Sequence, residues 1–371
     1  MKVLITATSL RAAYGGPAFS VSALADALGA RDVEIGLWAA DGSAAGAELL
    51  PSEARVRRMP GPLKDAVAGF APDLIHDNGL WLAHNHRVAE MAAASGTPRI
   101  VSTRGMLEPW AIRHKGLKKQ VAWRLYQRRD LQRAAVLHAT AQPEAENLRA
   151  FGLGSRIVTI ANGIDLPAIA ARAAPSDRAA RTALFLGRIY PVKGLPMLIE
   201  AWARVRPASW RLVIAGPDEA GHQRLVEDAV AVSGLGDVVS FVGPVSGEAK
   251  AAWLRDADLL VLPSHSESFG MAVAEALAHG TPVLTTTAAP WPALEDRRCG
   301  WRAAPNAEAL AAALRHAFDC DAPTLAGMGA AGRAYVAETL GWDRIAAQFA
   351  ALYAQLIRTR GAAVRAGEAA A

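Results

Sequence analysis

The chain has 371 residues, is half apolar (52%) and poor in aromatics (6%), and carries a modest net charge of +5. That composition excludes a disordered, fibrous or collagen-like chain and leaves a soluble α/β enzyme long enough for two domains, each with its own core. Cys299 and Cys320 form neither a metal-ligand spacing nor a disulfide framework, so a reducing cytoplasm is the expected compartment.

The N-terminal run MKVLITATSL is too short for a signal peptide and reads as a first β-strand. No later stretch has the length of a membrane span. After the strand at 3–9, Gly15-Gly16-Pro17 falls where a strand hands over to a helix. In doubly wound sheets that is the ligand edge, and paired glycines let a backbone approach a ligand closely; a plain tight turn reads equally well. Neither G-x-G-x-x-G nor G-x-x-x-x-G-K-[ST] is present there, which gives no support to a dinucleotide site and disfavours a P-loop.

Short apolar runs then recur at 33–39, 73–78, 99–105, 135–140 and 156–162, most of them separated by helical segments. This alternation predicts a parallel sheet covered by helices on both faces. Polar residues gather just past the strand ends: His76, Asp77 and Asn78; Thr103, Arg104 and Gly105; His138 and Thr140. Any one such His is more often structural than catalytic, but several on one edge point towards a site.

Residues 111–135 carry eight Lys or Arg against one Asp, interleaved with Trp123, Leu125 and Tyr126. The segment reads either as a basic amphipathic helix on an anionic membrane surface or as an ordinary solvated face. Nucleic acid ranks last, because the charge is confined to one segment and no nucleic-acid motif accompanies it.

Residues 162–181 shift to Ala, Pro and small side chains, which marks a domain boundary. A second alternation follows, with strands expected at 183–188, 211–216, 238–243, 259–263 and 281–287. The turn after its first strand, GRIYPVKG, puts Arg188 and Lys193 at the ligand edge, a pairing of planar fork and point charge that suits a diphosphate. The stretch SHSESFGMAVAEALAHG (264–280) turns from a strand through Gly270 into a helix, with Glu267 before the helix and Glu275 inside it. A helix start suits an anion, and the two carboxylates are spaced to hold two ends of one elongated ligand. Asp256-Ala257-Asp258 looks like a metal-binding D-x-D, but it lies at the N-terminal end of a strand, away from the ligand edge, and reads as structural. Helices are expected to close the chain, the last with a firm apolar period over 342–357.

Gly15-Gly16, N-G-I-D at 162–165, G-R-x-x-x-x-K-G at 187–194 and E-S-F-G-x-x-x-x-E at 267–275, in that order, resemble the retaining glycosyltransferases of family 4 over nearly the whole chain. The resemblance implies a GT-B architecture of two facing Rossmann-like domains, here 1–165 on the acceptor side and 166–340 on the nucleotide-sugar side, with 341–371 as a helix returning to the first domain plus a frayed tail. It implies that Arg188 and Lys193 would hold the donor diphosphate, that Glu267 would contact the donor sugar and that Glu275 would bind the ribose. Phe269, Gly270 and Met271 would offer backbone to phosphate or sugar oxygens, Gly243-Pro244 would lie near the base, and Gly15 and Gly16 would approach the donor from the other domain.

The implied reaction is retaining transfer of a hexose-type sugar from a nucleotide donor to a glycan or lipid-linked acceptor, without a metal or other cofactor, in bacterial surface polysaccharide assembly. The implied location is cytoplasmic, with a peripheral position at the inner face of the plasma membrane if the basic segment binds lipid. Many relatives place a His at the strand end that here reads STRG; this chain has Arg104, which leaves Arg104, His76, His138 and Asn162 as acceptor-side or catalytic candidates. A sugar-nucleotide epimerase and a non-catalytic sugar-nucleotide-binding protein are the competing readings.

Overall fold

The computed structural model describes residues 1–51, 54–113, 116–168 and 180–370. The chain divides into two compact units: residues 1–163 with 342–371, and residues 164–341. The boundary read from composition at 162–181 falls largely on 169–179, outside the described residues.

In the first unit the elements run β1 (Lys2–Ala7), α1 (Gly16–Gly29), β2 (Glu34–Ala39), β3 (Val56–Arg58), α2 (Leu63–Phe70), β4 (Leu74–Asn78), α3 (Ala83–Ser95) and β5 (Arg99–Ser102). They continue through α4 (Pro109–Arg113), α5 (Gly116–Ala122), a π-helical turn (Trp123–Gln127), α6 (Arg128–Gln132), β6 (Val136–Ala139), α7 (Gln142–Ala150) and β7 (Ile157–Thr159). All seven strands are parallel in the order β3-β2-β1-β4-β5-β6-β7. The order reverses between β1 and β4, and the crevice beyond the strand ends at such a switch point is where open α/β sheets take ligands.

The second unit contains β8 (Arg181–Leu186), α8 (Leu195–Val205), β9 (Trp210–Ala215), α9 (His222–Val232), β10 (Val239–Gly243), α10 (Gly247–Asp256) and β11 (Leu259–Leu262). After these come α11 (Met271–Ala278), β12 (Val283–Thr286), α12 (Ala293–Asp296), β13 (Gly300–Ala303), α13 (Ala307–Asp319) and α14 (Ala322–Leu340). Its six parallel strands have the order β10-β9-β8-β11-β12-β13, with the switch between β8 and β11. Helices on both faces leave the central strands without a polar side, which is why β8 and β11 read as continuous apolar runs.

The last helix, α15 (Trp342–Ala370), belongs to the first unit. Its apolar stripe Ile345, Ala346, Phe349, Leu352 and Tyr353 completes the core formed by β1, β2, β4 and α1. Burying the large members of that stripe contributes about 1.5–3 kcal/mol each. The sequence reading missed two strands, β3 and β13. Each is a three- or four-residue edge strand with Arg side chains partly in solvent, too short and too polar for a buried-strand pattern.

Candidate functional site

In the second unit, the loops leaving β8 and β11 flank the switch point, and they carry Lys193 and Glu267. Gly194 ends the β8 loop at φ +68°, and a Cβ there would lie 2.2 Å from the Pro263 carbonyl oxygen. Only Gly therefore lets the two loops pack this closely. The contact is fastened by His265 N–H donating to Val192 O at 2.7 Å. Lys193 Nζ then donates to Glu267 Oε1 at 2.5 Å, and Ser264 Oγ donates to the same oxygen at 2.7 Å. Both side chains of the pair are largely buried (16% and 9% exposed), which strengthens the charge-assisted bond relative to one in open solvent.

Arg188 stands apart from this pair. Its Nη1 donates to Glu219 at 2.5 Å and its guanidinium lies 6.0 Å from the Tyr190 ring, at a half-exposed position. The two cations expected to act together are thus each paired with a different carboxylate. Glu275 lies inside α11 and accepts from Lys250 Nζ at 2.7 Å. Lys250 was not singled out by sequence reasoning, because a helical Lys placed 25 residues upstream gives no local signal of a tertiary partner.

Phe269 is buried against Trp291 (ring centroids 5.4 Å apart), and its carbonyl accepts from Trp291 Nε1 at 2.5 Å. Gly270 caps α11 in the left-handed region at φ +83°, and Met271 is the first helical residue. Gly243 ends β10 at φ +71°, with Pro244 following it. Asp258 accepts from Thr182 N–H at 2.8 Å at the start of β11, and Asp321 caps α14, so these acidic residues are tied into the fold. Among the described residues, no group of three or more His, Cys, Asp or Glu side chains is placed to hold a metal ion.

In the first unit, Gly15 caps α1 at φ +81° and Gly16 begins it. Arg104 follows β5 at φ +52°, a left-handed conformation costly for a residue with a Cβ. Its loop is held by the buried carboxylate of Glu144, which accepts from Thr103 Oγ1 (2.6 Å), Gly105 N (2.6 Å), Thr140 N (2.7 Å) and Thr140 Oγ1 (2.8 Å). The guanidinium reaches Asn78, Ser20 and Asn162, bringing the ends of β4, α1 and the segment after β7 together.

His76 and His138 do not join that cluster. Both are buried, with every ring nitrogen engaged by the protein. His76 Nδ1 lies 2.6 Å from the Tyr353 hydroxyl and Nε2 lies 2.7 Å from Ser102 Oγ. Ser102 Oγ lies 2.7 Å from His138 Nδ1, and His138 Nε2 lies 2.8 Å from the Ile160 carbonyl. A carbonyl only accepts, so His138 Nε2 carries the proton. The donors then run one way through two neutral rings, from Tyr353 through His76 and Ser102 and His138 to Ile160. Burial lowers the pKa of His76 well below the ordinary value and that of His138 to about 4, with neighbouring charge adding to the effect.

A family model described as glycosyl transferase 4-like domain matches residues 15–163, and one described as glycosyl transferases group 1 matches 180–319. A D-inositol 3-phosphate glycosyltransferase of Streptomyces bingchenggensis is 35% identical over 247 residues, 60% of this chain and 53% of its own length. One from Streptomyces scabiei is 39% identical over 181 residues, 46% of this chain and 40% of its own. The chain thus spans about half the length of these curated relatives, or less. Among solved structures, sucrose-phosphate synthase from Thermosynechococcus elongatus superposes with a TM-score of 0.79 at 21% identity, covering 96% of this chain and 99% of that one. Anabaena HepE in complex with UDP-glucose gives 0.72 at 20% identity, covering 96% and 100%. At these identities the structural likeness establishes the fold, which is GT-B.

Proposed function

Because the chain belongs to the group 1, family 4-like glycosyltransferases, we propose that it moves a hexose-type sugar from a nucleotide-diphosphate donor to an acceptor hydroxyl with retention of configuration. The observation that carries this reading is the Lys193–Glu267 pair at the switch point of the second unit. As the anomeric C–O bond breaks, negative charge grows on the departing diphosphate and positive charge on the sugar ring. Lys193 offers a cation to the first and Glu267 a carboxylate to the second, and Ser264 fixes where that carboxylate stands. Arg188 adds a second cation once its Glu219 contact is exchanged for phosphate. The proton of the attacking hydroxyl leaves with the diphosphate, the new C–O bond forms on the same face, and the countercharge comes from side chains rather than a metal.

Glu275 would take the ribose hydroxyls in this reading, with Lys250 holding its carboxylate in place. A glycan or lipid-linked acceptor, in surface-polysaccharide assembly in the cytoplasm, is the proposed context. The names of the relatives add phosphorylated polyols to the acceptors worth assaying. The basic segment supports a peripheral membrane contact, since Leu117, Val121 and Leu125 are 81%, 58% and 71% exposed and recur every fourth residue.

The test begins with a set of nucleotide sugars, UDP-glucose included, and asks which one raises the melting temperature. With that donor, Lys193→Ala and Glu267→Ala should each lower turnover by roughly 10²–10³-fold while the unliganded protein still melts cooperatively. Wild-type turnover in both variants would sink the proposal.

A further inference from the structure

Among the described residues, the Arg104 guanidinium is bonded only to neutral oxygens. Nε and Nη2 of Arg104 donate to Asn78 Oδ1 at 3.1 and 2.7 Å, and Nη1 donates to Ser20 Oγ at 3.1 Å and Asn162 Oδ1 at 2.9 Å. Each of these acceptors is neutral. The orientation of the Asn78 amide is fixed, because its Nδ2 donates to the carbonyls of Thr6 (3.2 Å) and His76 (3.3 Å), so its oxygen must face the guanidinium. Ser20 Oγ spends its own proton on Pro17 O at 3.2 Å and likewise presents oxygen to Arg104.

Among the described residues no carboxylate hydrogen-bonds to Arg104 or forms an ion pair with it. Glu144 is near enough to be felt electrostatically, but its oxygens are taken by Thr103, Gly105 and Thr140. Burial lowers the Arg104 pKa to about 10, so the group is still charged at neutral pH. A cation that is mostly buried, still partly open to solvent and held only by neutral oxygens is stabilised further by a mobile anion. The cost is accepted twice, since the same residue also sits in a left-handed backbone conformation. Four of the five guanidinium N–H groups are used in tying β4, α1 and the β7 loop together, which leaves one on Nη2 for a ligand oxygen.

We propose that Arg104, framed by Ser20, Asn78 and Asn162, is an anion site that receives a phosphate or carboxylate group of the acceptor, so that the acceptor is an anionic molecule. This inference rests on the transferase reading for the word acceptor; the anion site itself does not depend on it. Asn162→Asp tests it, because it leaves the guanidinium in place and supplies an internal carboxylate where the neutral amide oxygen stood.

Inorganic phosphate is titrated by calorimetry into the full chain, once with saturating UDP and once in a background carrying both Lys193→Ala and Arg188→Ala, so that the diphosphate-binding residues of the second unit do not contribute. Wild-type Arg104 should bind one phosphate. Asn162→Asp should weaken that binding at least roughly tenfold while the melting temperature stays level or rises, since the new ion pair strengthens the strap. Arg104→Gln, a second variant, should lose phosphate binding outright.

Equal phosphate affinity in wild type and Asn162→Asp, or no phosphate uptake by wild type at millimolar concentration, overturns the site. If Asn162→Asp weakens UDP instead, the guanidinium serves the donor and the acceptor assignment is overturned. UDP that fails to bind at all counts against the transferase reading, while the titration in the Lys193→Ala, Arg188→Ala background still decides the anion site.

Discussion

The two buried histidines show how hydrogen-bond direction sets a protonation state. A proton added to either ring puts a second donor into a chain that runs one way from Tyr353 to Ile160, and Ser102 or Tyr353 must then give up its partner. The folded protein therefore refuses protons that the unfolded chain takes up near pH 6.5. Stability should fall as pH drops from about 6.5 towards 4, by about 1.4 kcal/mol per pH unit for each proton withheld. Asp77 works in the opposite sense. Burial raises its pKa to about 6 from 3.8, so the folded state holds its proton more tightly and gains stability as pH falls through that window. The histidine effect is cleanest just above pH 6, and a melting curve at each pH should show it there. His138→Gln should flatten that slope, and an unchanged slope would show that some other group titrates. These residues also mark where the sequence was hardest to read. His76, Asp77 and Asn78 all lie at a strand end, yet the fold turns His76 towards Tyr353 and Ser102 and Asp77 towards Thr6 and Asn85, while Asn78 reaches Arg104, and that division is a property of the packed sheet. Arg104 was legible as a departure from an expected His; its neutral oxygen partners, drawn from three separate elements, were not.

At the scale of single elements, α15 and the basic segment illustrate two uses of an amphipathic face. The apolar stripe of α15 is covered by the first unit, and Tyr353 reaches past it to His76. Tyr353→Phe keeps the ring and removes the hydroxyl, leaving the buried Nδ1 of His76 unpaired. It should cost about 1–3 kcal/mol, read from denaturant midpoints at constant m; an unmoved midpoint would mean that the hydroxyl contributes nothing net. Along α5 and the π-helical turn the arrangement is inverted. Trp123 packs inward on Trp81 and Phe151, and Gln127 accepts from Trp81 N–H at 2.8 Å, while Leu117, Val121 and Leu125 point to solvent beside exposed Lys118, Arg124 and Arg128. Vesicles containing anionic lipid should bind the protein, with binding weakened by salt, by Lys118→Glu with Arg128→Glu, and by Leu125→Asp. Absent or salt-independent binding would leave the stripe as ordinary surface. Composition revealed the charge, but only the fold distinguishes Trp123, which faces the core, from Leu125, which does not.

Across the whole molecule, the two alternations of strand and helix were plain in the sequence because parallel strands covered on both faces are written as apolar runs. The pairing of carboxylates with cations was not plain. Lys193 and Glu267 are 74 residues apart and meet only because the strand order reverses between β8 and β11. Since Lys193, Glu267, Lys250 and Glu275 all lie in the second unit, residues 164–341 alone should melt cooperatively and be stabilised by the same nucleotide that stabilises the full chain. Residues 1–163 alone should not give a cooperative transition until a peptide spanning 342–371 is added, because α15 supplies part of that unit's core. Cooperative unfolding of 1–163 without the peptide would contradict the role assigned to the last helix.

The second unit enters and leaves the chain at one place. Ile164 pairs with Gly341, and Ile164 N–H donates to Leu340 O at 2.8 Å, so an entire sheet-and-helix body hangs from adjoining residues as an insertion. On the ribosome this imposes an order of events. The nascent chain completes the seven strands of the first sheet long before it emits Trp342, and the 179 residues from 163 to 342 take roughly 10–35 s to translate at ordinary rates. Throughout that interval the apolar face awaiting Ile345, Phe349 and Leu352 stands open. The inserted body can fold while the older half still waits, which makes the first-synthesised unit the last to mature and the one most in need of a chaperone.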